Sequence, residues 1–86
     1  GSSNAYFWAT HAGAELDLFL LHNGKRFGVE IKYSDGPSTT RSMRQALEDL
    51  SLDHLYVVYP GKDDYPLDKN ITVTSLPSLL SKLKSL

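Results

Sequence analysis

The chain predicts an α/β fold: a mixed sheet of about five strands flanked by helices. Three observations carry this. Asn23-Gly24 lies between two apolar runs, the strongest short-range signal of a two-residue hairpin turn. Residues 40–50 place Met43, Ala46, Leu47 and Leu50 at the spacing of one helical face. Leu55 to Tyr59 is then a short apolar run of the kind that forms a buried strand. The hairpin is antiparallel by construction. The helix between strands three and four is long enough for a crossover, so those two strands are expected to be parallel.

Taken in order, Tyr6 to Thr10 is aromatic and β-favouring and is expected as the first strand, its rings serving the core. His11-Ala12-Gly13 is a turn. Ala14 to His22 and Lys25 to Tyr33 are the hairpin strands, and Ser34 to Ser38 is a loop rich in breaker residues. Ser38 or Thr39 is expected to cap the helix that follows. Pro60 to Asp64 ends the strand 55–59 in a turn, and Ile71 to Thr74 is a brief last strand. Leu76, Leu79, Leu80 and Leu83 form a helical stripe, with Pro77 in the first turn where proline is tolerated. There is no internal repeat and no low-complexity tract.

Composition narrows the function classes. The 86 residues, 41% hydrophobic and 22% charged, make one ordinary globular domain with a thin stability margin. There is no cysteine, so disulfide frameworks and thiolate metal sites are excluded, and a cytoplasmic setting is the expectation. No apolar run approaches the ~18 residues of a membrane span. The net charge of −1 argues against a strong electrostatic grip on nucleic acid, so DNA affinity is expected to come from elsewhere in a larger protein. Residues 1–5 read as a tag scar or linker, leaving 6–86 as the domain.

Counting outward from Asn23-Gly24 sets the register. His22 faces Lys25, Leu20 faces Phe27, Leu18 faces Val29 and Leu16 faces Ile31 on one side of the sheet. On the other side Leu21 opposes Arg26, Phe19 opposes Gly28, Asp17 opposes Glu30 and Glu15 opposes Lys32. Directly opposed carboxylates, with Cβ atoms roughly 5 Å apart, are destabilising. A divalent cation held by oxygen ligands would compensate, and Lys32 stands beside it. The plain alternative is a solvated face with a Glu15–Lys32 cross-strand pair contributing about 0.2–1 kcal/mol, which leaves Asp17–Glu30 unexplained.

Asp17, a hairpin, then Glu30-Ile31-Lys32 resembles the PD-(D/E)xK nuclease superfamily. With Tyr6-Phe7-Trp8-Ala9-Thr10, Ala14-Glu15-Leu16-Asp17, Val29 to Ser34 and Leu55 to Tyr59, the chain most resembles the nuclease-like domain of unknown function at the carboxy end of prokaryotic AAA-type ATPases. The resemblance covers about residues 6 to 80. It implies a restriction-endonuclease-like fold and a Mg²⁺ (or Mn²⁺) site formed by Asp17, Glu30 and the Ile31 carbonyl. Lys32 would act as the catalytic lysine, with Glu15 and Gln45 as accessory residues. Gln45 otherwise reads as a helix-surface glutamine, and Tyr33 and Ser34 as strand-end residues. His11, His22 and His54 stand too far apart for a zinc constellation.

The expectation is therefore a Mg²⁺-dependent nuclease-like domain hydrolysing DNA phosphodiesters as the C-terminal part of an ATPase. The alternative is a catalytically silent protein- or DNA-interaction module on the same fold. The family core begins with a helix that is missing ahead of Tyr6, as in an N-terminally truncated domain. Without that cover Phe19 and Leu21 would be exposed, so self-association through this face is expected.

Overall fold

The structure is a computed structural model, and it describes residues 3–6, 16–34 and 36–85. Its elements run β1 (Ser3–Tyr6), β2 (Leu18–His22), β3 (Lys25–Ile31), α1 (Arg41–Asp49), β4 (His54–Val58), β5 (Tyr65–Asp68), β6 (Ile71–Thr74) and α2 (Leu76–Ser85). The strands form one sheet in the order β1-β2-β3-β4-β6-β5. β3, β4 and β6 are parallel neighbours; the other pairings are antiparallel. This is the mixed α/β sheet with flanking helices that the sequence predicts, with one strand more than expected.

The hairpin turn is of type I′: Asn23 and Gly24 both take positive φ, 50° and 78°. From it the ladder runs as counted, from His22–Lys25 to Leu18–Val29. There the simple register ends. The Asp17 amide donates to the Val29 carbonyl at 3.0 Å, so Asp17 and Leu18 both address Val29. The alternation of faces shifts with it. Leu18 packs on the α2 side, whereas Leu16 joins Phe19 on the α1 side. The expected Leu16–Ile31 apposition is thus replaced. Gly28 explains why: a Cβ there would lie 2.7 Å from Leu16 Cδ1 and from Leu52 Cδ1, so the missing side chain is the space those leucines occupy.

Two apolar layers sandwich the sheet. On one face Met43, Ala46 and Leu50 of the α1 region pack with Leu16, Phe19, Leu55, Val57, Ile71 and Val73. On the other, Leu79 of α2 packs with Leu20, Phe27, Val29 and Val58. Phe19 is buried and Leu21 packs against the first layer, so α1 and the turn after it supply the cover that the sequence reading assigned to an absent helix. Arg26 fastens that turn: its Nε donates to the Leu50 carbonyl at 2.8 Å and its guanidinium lies 5.1 Å over the Phe19 ring.

Helix α1 is capped by Thr40, not by Ser38 or Thr39. The Met43 amide donates to Thr40 Oγ1 at 3.2 Å, and Thr40 has the extended backbone that a cap requires. Its other end closes in a Schellman motif: Leu52 N donates to Leu47 O at 2.9 Å and Ser51 N to Glu48 O at 3.2 Å, with Ser51 left-handed at φ 51°. In α2 the expected four-leucine stripe is half used. Leu79 and Leu83 pack inward, while Leu76 and Leu80 remain 54% and 52% exposed. The two pairs are centred about 60° apart around the helix, and the sheet surface beneath meets only one of them.

The unforeseen strand is β5, paired antiparallel to β6 at the edge of the sheet, with a register shift between Pro66 and Asp68. It is tied to the entrance of α1. Tyr65 Oη donates to the Pro37 carbonyl at 3.3 Å, and Arg44 pairs with Asp68 at 2.6 Å. Of the expected first strand, 6–10, only Tyr6 lies among the described residues, at the end of β1; Ser3 to Ala5, expected as linker, precede it in that strand.

Candidate functional site

Parallel β3 and β4 end side by side, and the predicted motif occupies that end. Open α/β sheets bind ligands at the carboxyl ends of their parallel strands. Lys32 N donates to Val58 O at 2.8 Å, so the Lys32 amide points toward β4. Backbone direction alternates along a strand, and the Ile31 amide and carbonyl therefore point the other way, toward Asp17. There the Ile31 amide donates to Asp17 Oδ2 at 2.7 Å. The carboxylate replaces the ladder carbonyl that the shifted register removes.

Glu30 lies on the α1 side of the sheet and is 3% exposed. Lys32, two residues on and on the same face, places its Nζ 3.2 Å from Glu30 Oε2. A buried carboxylate needs a compensating charge or donor, and Lys32 supplies one. The structure thus brings Glu30 together with Lys32, and Asp17 together with Ile31. Asp17 is exposed and Glu30 is enclosed, so they are not the equivalent facing pair the register predicts. Gln45 donates to Asp49 on its own helix at 2.8 Å. Glu15 lies outside the described residues, as does His11.

The donors available to a cation are therefore hard oxygens: Asp17, Glu30 and the Ile31 carbonyl. They fit Mg²⁺ or Mn²⁺ in type, since Mg²⁺ commonly uses one or two carboxylates plus water and phosphate. Among the described residues no three His, Asp or Glu side chains converge. His54 is placed elsewhere, with Nε2 2.7 Å from Thr72 Oγ1, and burial pushes its pKa below the usual histidine value.

Beside the motif lies a slot of about 250 Å³ lined by Ile31, Lys32, Tyr33, Val58, Tyr59 and Pro60. A larger cleft of about 380 Å³ adjoins it at Tyr59 and Pro60 and reaches Ser75, Leu76 and Pro77 at the start of α2.

A polar cluster not anticipated from sequence joins β6, α2 and the loop before β5. Asp64 accepts from Thr74 Oγ1 at 2.7 Å and from Ser78 Oγ at 2.7 Å, and lies 3.2 Å from Lys82 Nζ. The Thr74 and Ser78 hydroxyls, with Lys82 behind them, hold the Asp64 carboxyl below the usual carboxylate range. Ser78 and Lys82 stand one helical turn apart, the spacing that could have flagged the cluster.

The fold and this strand-end motif define a small α/β domain with acids and a lysine gathered at one end of a mixed sheet. The chain belongs to the DUF4143 family, a domain of unknown function, which it matches over residues 1–79. It is similar to uncharacterized protein Rv2008c of Mycobacterium tuberculosis and to uncharacterized protein Mb2031c of Mycobacterium bovis. Each is 43% identical over 88 residues, covering 92% of this chain and 20% of the relative. The chain therefore spans about a fifth of the length of these curated relatives. No solved structure matches it. Among the described residues no helix is long and apolar enough to cross a membrane.

Proposed function

We propose that this domain is a divalent-cation-dependent phosphodiesterase of the PD-(D/E)xK nuclease type, acting on DNA as one part of a longer protein. The observation that supports it is the strand-end arrangement itself. Glu30 is enclosed with Lys32 at 3.2 Å, and Asp17 is held against the Ile31 backbone at 2.7 Å. Asp17, Glu30 and the Ile31 carbonyl would hold Mg²⁺ or Mn²⁺. The ion, when bound, supplies Lewis acidity and an activated water. Lys32 contributes a compact ammonium suited to charge developing on a phosphoryl oxygen. Asp17, through Ile31, fixes the strand end that carries both Glu30 and Lys32. The greater length of the relatives leaves room for a partner module, and an ATPase is the one the resemblance suggests.

A second reading has its own observation. Glu30 and Lys32 are already paired with each other, and the chain carries a net charge of −1. An inactive protein- or DNA-interaction module on the same fold would have this appearance. A cleavage assay on the longer polypeptide with Mg²⁺ or Mn²⁺ separates the two. Cleavage lost in Asp17→Asn and Lys32→Ala supports the enzyme; no metal-dependent shift at Asp17 and Glu30 at millimolar ion, with no cleavage, rejects it.

A further inference from the structure

We infer that the slot at the ends of β3 and β4 holds a single nucleobase that is out of its helical stack; this rests on the phosphodiesterase reading of Glu30 and Lys32. The slot is lined by Ile31, Val58 and Pro60 with Tyr33 and Tyr59, and Lys32 is the one cationic residue among them. At about 250 Å³ it falls below the ~300–1,000 Å³ of sites for drug-sized ligands and suits one ring system. Ile31, the last residue of β3, is 46% exposed after four buried residues, and Tyr33, two residues beyond the strand, is 88% exposed. An aromatic ring left in solvent beside an apolar slot is a stacking platform.

Lys32 belongs to both the slot and the acid cluster. On the phosphodiesterase reading, a group in the slot stands next to a phosphate held near Lys32, and a nucleoside meets that description. Charge distribution selects an unstacked base over an intact duplex. Three of the nine Lys and Arg side chains, Lys32 among them, are paired with acids among the described residues (Lys32 with Glu30, Arg44 with Asp68, Lys82 with Asp64), and the chain as a whole is net negative. Duplex binding draws on many unneutralised cations along the phosphates, whereas stacking on an aromatic ring draws on none. A base stacked within a duplex has both faces covered by its neighbours and offers none to Tyr33, so the slot favours single strands, frayed ends or flaps.

The test is a titration of the protein, followed by amide NMR in EDTA, with a single-stranded octanucleotide of mixed sequence. The same sequence as a duplex and N-acetyl-tryptophanamide are run in parallel. The inference expects shifts at Ile31, Tyr33 and Val58 with the single strand, about 5- to 100-fold weaker binding in Tyr33→Ala, and recovery in Tyr33→Phe. Equal affinity for the duplex, no effect of Tyr33→Ala, no shift at those amides, or a stronger response to N-acetyl-tryptophanamide would overturn it. EDTA keeps the readout free of cleavage. Binding without cleavage under metal would count against the phosphodiesterase reading, and cleavage without these shifts against the slot.

Discussion

Asp17 and Ile31 are joined side chain to backbone: Asp17 Oδ2 accepts the Ile31 amide at 2.7 Å, at the point where the β2–β3 ladder stops. An acid at the hairpin's open end is thus also the acceptor that finishes β3. Structural and chemical roles can be separated at this residue. Asp17→Asn keeps an acceptor oxygen and should leave stability within about 0.5 kcal/mol, while Asp17→Ala should cost about 1–2 kcal/mol. Urea midpoints and hydrogen exchange at the Ile31 amide check this: exchange should speed in Asp17→Ala alone.

Glu30 and Lys32 form the second testable pair. Lys32→Met leaves a 3%-exposed carboxylate without its ammonium and should destabilise by about 1–3 kcal/mol, the partial exposure of Lys32 softening the loss. The double variant Glu30→Gln/Lys32→Met should recover part of it. Additive losses in the cycle would show that the two groups are not coupled.

Acid should loosen the contact between β6, α2 and the loop before β5. The folded-state pKa of Asp64 is depressed by the Thr74 and Ser78 hydroxyls and by Lys82. A depressed carboxyl contributes its full stability above the unfolded value of about 3.9 and loses it as pH falls through the folded value. Denaturation at pH 2 to 6 should show this decline, and Asp64→Asn should flatten it.

His54 acts in a higher window. Burial lowers its folded pKa, so between that value and the unfolded value of about 6.5 the unfolded chain binds more protons. Stability should rise with pH through this window and level off above it. His54→Gln should remove the slope near pH 6 while keeping a polar group beside Thr72.

The Schellman end of α1 offers a stabilising change. Ser51 holds φ at 51° without being glycine. Ser51→Gly should raise stability by up to about 1 kcal/mol, and Ser51→Val should lower it, as read in thermal melts.

The sequence made the middle of the hairpin legible because Asn23-Gly24 pins the count, and five successive pairs follow from it. It made α1 and β4 legible because each pattern has one period over its full length. It hid the shift at Asp17, since Leu16 is equally apolar on either face and only the space above Gly28 decides. The choice of cap was hidden because Ser38, Thr39 and Thr40 share the same chemistry and only the backbone distinguishes them. β5 was missed because Tyr65-Pro66-Leu67-Asp68 contains a proline and has one strand neighbour to stabilise it. At the candidate site, the Glu30–Lys32 adjacency was readable. The enclosure of Glu30 was not, because it depends on what packs over β3.

The same proline and register break give β5 a further consequence. Pro66 offers no amide hydrogen, and the shift between Pro66 and Asp68 interrupts the spacing of donors and acceptors along that rim. A strand from another chain finds no continuous template there, so this border of the sheet is protected against runaway edge-to-edge assembly.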